Sequence, residues 1–270
     1  MNMGLNQKKV SDKHFHVFPN GKRGQVTIFV IVAIIIVVVL FSIFLLFPKI
    51  KTSFSFEENN PSSYIQSCIE EEMMEGLDLV SAQGGSLDPE HYLLYNEEKL
   101  EYLCYTNEYY ERCVMQQPLL KQHVESELTD YIASISDECF EDLKETYESK
   151  DYNVALDKGD YYVELLPNRV QVVYNYSLTL DKNDVKKYDQ ITVSYKNNIY
   201  ELVSIAMSIL NFEAHYGDSE TTLYMSYYRD LKVEKKKQTD GSTVYLLTEL
   251  DTGNKFNFAS RSLAWPPGYA

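Results

Sequence analysis

The four cysteines of this 270-residue chain are the residues whose types and spacing most clearly allow covalent chemistry. Cys104 and Cys113 lie nine positions apart in two β-like segments, whereas Cys68 and Cys139 belong to helical segments far apart in the sequence. Four cysteines allow three pairings, and this placement predicts the disulfides Cys68–Cys139 and Cys104–Cys113. Zinc binding is the alternative use of these thiols, but the sequence has no C-x-x-C pair and no histidine beside the cysteines. We therefore expect no metal site here.

Three charged segments could serve catalysis or cation binding. The segment HVESE (His123–Glu127) places a histidine and two glutamates at positions i, i+2 and i+4, which do not share one helix face. The segment DKND (Asp181–Asp184) carries oxygen ligands suited to calcium, although a turn between strands uses the same residue types. Glu70–Glu72 fits a solvated helix face. No nucleophile elbow, zincin, P-loop or dinucleotide-binding motif occurs, so the sequence predicts no enzyme, catalytic residue, metal or cofactor.

Tyrosine is unusually frequent, with 23 residues, and many of them alternate along predicted strands. Core packing explains most of these rings, and an exposed set that binds a surface glycan or a protein ligand is the alternative. The triplet Asn175-Tyr176-Ser177 is an N-glycosylation sequon. We expect Asn175 to lie on the polar face of a strand, where it is available for modification.

A long apolar run near the N-terminus predicts contact with a lipid bilayer. Val26–Phe47 contains no charged residue, and only Thr27 and Ser42 are polar. About 20 apolar residues in a helix cross a hydrocarbon core of about 30 Å, and cleavable export signals have apolar stretches of only about 7–15 residues. The sequence therefore predicts a transmembrane helix.

The charge distribution predicts the orientation of this span. Five basic residues against one aspartate precede it, whereas the whole chain has a formal charge of −15. Basic residues resist translocation, so we expect a cytoplasmic N-terminus and an extracellular C-terminal domain. The acidic body repels phosphate and so disfavours nucleic acid as a partner.

The junction Lys22-Arg23-Gly24-Gln25 stands directly before the apolar run. It resembles the class III signal peptide of archaeal type IV pilin-like proteins, and the resemblance covers the first fifty residues. It implies a leader peptidase that cuts between Gly24 and Gln25 on the cytoplasmic side, where Lys22 and Arg23 hold the site at the membrane. Phe29 stands where bacterial type IV pilins usually have a glutamate, which favours the archaeal pattern or a relative that does not assemble. An ordinary signal anchor with a basic flank is the alternative.

These features predict four regions: a cytoplasmic basic leader (1–24), a transmembrane helix (25–47), a stalk (48–61) and an extracytoplasmic domain (62–270). Three helices are expected in the last region: one from Pro61 to the glycines at 84 and 85, one from Pro118 or Leu119 to about Ile135, and one from Ile199 to about Ala214. The expected strands are His91–Tyr95, Leu100–Tyr105, Tyr109–Met115, Tyr161–Leu165, Val170–Leu180, Ile191–Tyr195, Tyr228–Lys235, Thr243–Leu250 and Lys255–Leu263. The predicted fold class is α+β, with helices packed on a mainly antiparallel sheet.

The function predicted from these features is that of a membrane-anchored, surface-exposed pilin-like subunit. The resemblance implies a leader peptidase as partner, self-association through the transmembrane helix, and assembly into a filament after cleavage. The alternative is a signal-anchored binding module, an adhesin or receptor, that does not assemble.

Overall fold

The computed structural model of the chain describes residues 30–37 and 60–264. The chain divides into two compact units, Met1–Phe56 and Glu57–Ala270. In the first unit, residues 30–37 are helical (α1), and their side chains are exposed.

The predicted fold class is contradicted in its membrane-spanning element. Across residues 30–37 and 60–264, no helix has the length and apolar character needed to cross a membrane. Residues 25–29 and 38–47 of the predicted span lie outside the described residues, as do the leader and all of the predicted stalk before Asn60.

The second unit is α+β and rich in strands. Its helices are α2 (Pro61–Ala82), α3 (Leu120–Tyr131), α4 (Ala133–Glu148), α5 (Ile199–Tyr216) and α6 (Thr222–Tyr227). Its strands are β1 (Tyr92–Tyr95), β2 (Glu98–Tyr105), β3 (Val114–Met115), β4 (Asn153–Asp157), β5 (Tyr161–Leu166), β6 (Arg169–Tyr174), β7 (Ser177–Asp181), β8 (Val185–Tyr188), β9 (Ile191–Lys196), β10 (Leu231–Lys237), β11 (Ser242–Glu249) and β12 (Lys255–Arg261).

These strands form three sheets where the sequence predicted one. The largest has the order β1-β2-β12-β11-β10, with β3 paired to β2, and the smaller ones have the orders β4-β7-β8 and β5-β6-β9. Pairing is antiparallel except between β12 and β2, which run parallel. That parallel pair joins the β1-β2 hairpin from the start of the unit to the strands β10–β12 from its end.

Helix α2 packs against two of these sheets, and its local sequence explains where it begins and ends. Asn60 caps the N-terminus by accepting a hydrogen bond from the Ser62 amide at 3.1 Å, and Pro61 occupies the first helical position. The helix ends before Gly84 and Gly85, both at positive φ, which a glycine adopts without a Cβ clash. Its buried stripe packs against α3, α4, β9 and β12; the stripe consists of Ile65, Ile69, Met73, Leu77 and Val80.

Two predicted elements are each divided into two in the structure. The expected single helix ending near Ile135 is interrupted at Ile132, where α3 gives way to α4, and α4 continues to Glu148. The expected strand Val170–Leu180 is divided at Asn175 and Tyr176 into β6 and β7, which belong to different sheets. The chain therefore changes sheets inside a segment whose alternating pattern is continuous.

Candidate interaction surface

The segment 106–113, here called the tyrosine loop, holds two tyrosine rings in solvent. Tyr109 is 75% exposed and Tyr110 is 72% exposed. The disulfide Cys104–Cys113 closes the base of this loop, with Cα atoms 5.3 Å apart. An expected strand over Tyr109–Met115 is reduced to the two residues of β3, because the loop before it follows a different path and Tyr110 has a φ of 66°.

Hydrogen bonds fix the tyrosine loop to the end of the large sheet. The amide of Thr106 donates to the Arg261 carbonyl at 2.9 Å, and the Arg261 guanidinium donates back to the Thr106 carbonyl at 2.8 Å. Farther along, the Tyr110 amide donates to the Leu263 carbonyl at 2.9 Å. The backbone of the loop is thus held at several points while its rings remain outside.

The tyrosine loop also contacts the last turn of α5. The Arg112 guanidinium donates to the carbonyl of His215 at 2.7 Å. Helix α6 is joined to α5 by a hydrogen bond of 2.7 Å between the hydroxyls of Ser208 and Tyr224. The aromatic surface is defined here as the exposed aromatic residues of these three connected segments: Tyr109, Tyr110, Phe212, Tyr216, Tyr227 and Tyr228.

The second disulfide joins helices α2 and α4. Cys68 and Cys139 are bonded, with Cα atoms 6.0 Å apart, and the described part of the chain has no free cysteine. Both disulfides are the pairs predicted from the sequence. Because disulfides persist in oxidising compartments, they indicate an extracellular or secreted protein.

A serine, a histidine and two glutamates meet where α2 ends, and the sequence analysis did not bring them together. Ser86 donates from its hydroxyl to Glu101 Oε2 at 2.5 Å, and His123 Nε2 lies 2.8 Å from the same hydroxyl. From α3, Glu127 accepts a hydrogen bond from the Leu87 amide at 2.8 Å. Burial raises the pKa of the Glu101 carboxyl, against the opposing effect of the Ser86 hydrogen bond.

This cluster braces the fold and differs from a hydrolase triad in its connectivity. The carboxyl of Glu101 contacts the Ser86 hydroxyl, and within the described residues no hydrogen bond joins it to His123. In a Ser–His–acid triad the carboxylate instead holds the imidazole, which accepts from the serine. Glu125, the middle residue of the segment HVESE, does not join this cluster. It accepts a hydrogen bond from the Leu165 amide at 2.8 Å. The three elements α2, β2 and α3 are tied together here.

A second buried carboxylate belongs to Glu213 of α5, whose side chain is only 1% exposed. Tyr245 of β11 donates its hydroxyl to Glu213 Oε1, and the Ser219 amide donates to the same oxygen at 3.2 Å. Burial raises the pKa of Glu213, and the nearby Lys235 ammonium opposes that rise. This carboxylate therefore connects α5 to the large sheet through a desolvated hydrogen bond.

The other candidate residues are distributed over the surface. Asn175 is exposed between β6 and β7 instead of within one strand; its Nδ2 donates to Asp160 Oδ1 at 3.0 Å, and its Oδ1 accepts from Gln190 at 2.8 Å. Asp181 ends β7, residues 182–184 form an exposed bend after it, and Glu70 and Glu71 are exposed on α2. The described residues contain no group of three or more metal-ligating His, Cys, Asp or Glu side chains. Lys22, Arg23, Gly24 and Gln25 lie outside the described residues.

Comparison of the chain with protein-family models, curated proteins and solved structures finds no match.

Proposed function

We propose that this chain is a pilin-like structural or interaction subunit that acts outside the cytoplasm at the cell membrane. Its apolar segment 26–47 associates it with the lipid bilayer, and its α+β unit contacts neighbouring copies through the aromatic surface. The proposal rests on the sequence of the first fifty residues for its pilin-like character and on the tyrosine loop for its mode of interaction.

The observation that carries the proposal is the fixed exposure of Tyr109 and Tyr110. Tyrosine offers a large contact area with few rotatable bonds, and it is enriched in protein interfaces. Binding is weakened when a mobile loop must be ordered. The disulfide Cys104–Cys113 and the bonds from Arg261 and Arg112 have already ordered this loop. Its two rings are therefore suited to act as anchors in a contact with another protein surface.

Processing of the leader is the first test. We expect the mature protein in its native membrane to begin at Gln25, because a peptidase that needs an unhindered backbone cuts after Gly24. Gly24→Leu should leave the leader attached, as a side chain there crowds the cleavage site. N-terminal sequencing of both proteins makes the comparison. A mature chain that still begins at Met1 would contradict the processing and leave the signal-anchor alternative.

Self-association of the second unit, Glu57–Ala270, is the second test. The double variant Tyr109→Ser/Tyr110→Asn should weaken association at least tenfold, about 1.4 kcal/mol, in sedimentation equilibrium. Asparagine is chosen at position 110 because it tolerates positive φ. The control Tyr92→Ser/Tyr162→Ser changes two exposed tyrosines outside the aromatic surface and should associate like the wild type. Equal thermal midpoints would show that the variants are folded.

The alternative function is an adhesin or receptor that does not assemble. It takes the place of the assembly proposal if the wild-type unit stays monomeric at millimolar concentration and no surface filament contains the chain. The aromatic surface would then contact a different protein.

A further inference from the structure

A polar cleft of about 500 Å³ lies at the end of α2, away from the aromatic surface. Its walls come from segments distant in the sequence: the last turns of α2, the start of β2, the link between β9 and α5, and the turn from β11 into β12. The residues that matter for its chemistry are Asp78, Glu98, Asn197, Asn254, Lys255 and Asn257. The volume is within the range of about 300–1,000 Å³ typical of small-molecule sites.

Two asparagines in this cleft are buried without full hydrogen bonding. Asn257 is 8% exposed, and its side-chain amide makes no hydrogen bond within the described part of the chain. Asn197 is 7% exposed; its Oδ1 accepts from the Ile199 amide at 2.8 Å, while its Nδ2 has no partner among the described residues. The unpaired polar atoms of these two amides are open to the cleft, because neither belongs to the fully buried polar atoms without a partner. A molecule in the cleft can therefore take over hydrogen bonds that solvent would otherwise make.

The charged groups of the cleft are also unpaired. Lys255, Asp78 and Glu98 form no ion pair within residues 60–264, although all three line the same space. The nearby Lys99, by contrast, is 2.6 Å from Asp88. The cleft therefore presents ammonium, carboxylate and amide groups together, with both donors and acceptors directed at its contents.

This combination selects the class of ligand. Two carboxylates disfavour a phosphate or another anion, and Lys255 together with the small number of carboxylates disfavours a divalent cation. Ala82 is the one apolar residue of the lining, so an apolar ligand has no wall to pack against. Neighbouring hydroxyl groups on a neutral sugar both donate and accept, which matches side-chain amides that do both and carboxylates that accept.

We propose that this cleft is a binding site for a neutral saccharide, with Asn257 and Asn197 as its buried recognition groups. The site is independent of the proposed self-association, because none of its residues belongs to the aromatic surface. Asn257 contributes both amide hydrogens and its carbonyl oxygen, and Asn197 contributes Nδ2. Asp78 and Glu98 accept hydrogen bonds from hydroxyls at the rim.

Titration with a panel of neutral sugars tests the proposal: glucose, galactose, mannose, N-acetylglucosamine and their common disaccharides. The second unit, Glu57–Ala270, labelled with ¹⁵N should show saturable chemical-shift changes at Asn257, Asn197 and Lys255 with at least one of these sugars. Asn257→Ala should weaken that binding at least tenfold. The control Asn183→Ala removes an exposed amide that does not line the cleft and should leave sugar binding unchanged.

A structural role for Asn257 would give a different result. Because its side chain makes no hydrogen bond within the described residues, Asn257→Ala should keep the thermal midpoint of the wild type. Loss of stability without any saccharide binding would overturn the proposal, as would binding that survives Asn257→Ala. Shift changes at the cleft with inorganic phosphate or Ca²⁺, but with none of the sugars, would also overturn it. The Tyr109→Ser/Tyr110→Asn variant should bind sugar normally, which separates this result from the assembly test.

Discussion

Replacing both Cys68 and Cys139 by alanine should lower the free energy of unfolding by about 4 kcal/mol. The two residues are 71 positions apart, so the disulfide closes a long loop and removes much of the conformational freedom of the unfolded chain. The bond also joins α2 to α4, and α2 packs against α3, the large sheet through β12 and the β5-β6-β9 sheet through β9. Its loss therefore affects the whole unit.

The Cys104→Ala/Cys113→Ala variant is the matched control for this prediction. That disulfide closes a loop with a separation of only 9 positions, so the same entropic argument gives about 3 kcal/mol. Urea denaturation of the two variants and the wild type, followed by circular dichroism, gives the three free energies. Unchanged stability after loss of Cys68–Cys139 would contradict the argument. A larger effect from the short loop would also contradict it.

The disulfide pattern could be predicted because it depends on local sequence and cellular compartment. Cys68 lies on a helix with a clear apolar period, and Cys104 and Cys113 are close enough to pair across a turn. Helix α2 itself was predictable, because Asn60 and Pro61 begin it and the two glycines at 84 and 85 end it.

The sequence of α4 has a helical pattern that would have predicted this helix. Its buried residues Ser136, Cys139, Phe140, Leu143 and Tyr147 recur at helical spacing. They follow α3 without a glycine or proline, and the break at Ile132 has no turn residue to mark it. The sequence therefore predicts a single helix that ends near Ile135, where the structure has two helices.

The division between β6 and β7 could not be found from periodicity. Tyr174 and Tyr176 are both buried and stand two positions apart, so the alternation runs unbroken through the point where the chain changes sheets. The change of sheet depends on which strands pair with each other. β6 pairs with β5 and β9, whereas β7 pairs with β4 and β8. Such long-range pairing is not encoded in a short window of sequence.

The grouping of residues into candidate sites could not be predicted for the same reason. Ser86, Glu101 and His123 come from three elements, and no motif spacing connects them. The excess of tyrosine was visible, but only the fold separates buried rings such as Tyr174 from exposed ones such as Tyr109. The polar cleft needs the parallel pairing of β12 with β2, which joins residues more than 150 positions apart.

The second large effect concerns the buried carboxylate of Glu213. Glu213→Ala should lower the free energy of unfolding by about 3 kcal/mol, because it leaves the Tyr245 hydroxyl and the Ser219 amide without their acceptor and opens a cavity. Glu213→Gln keeps a carbonyl oxygen as acceptor and carries no charge. We expect its stability at pH 7 to be within about 1 kcal/mol of the wild type.

The pH dependence of these proteins distinguishes the charge from the hydrogen bond. Since burial raises the pKa of Glu213 in the folded protein, the folded state binds a proton more tightly than the unfolded state. The contribution of this group to stability is full below its unfolded pKa of about 4.3 and is lost as the pH rises through the higher folded pKa. Wild-type stability relative to Glu213→Gln should therefore fall with rising pH across that window. Glu101 also has a raised pKa, but it is present in both proteins and cancels in the difference. Urea denaturation at several pH values between 4 and 8 measures that difference, and a value that rises with pH would mean that attraction to Lys235 outweighs the burial of the charge.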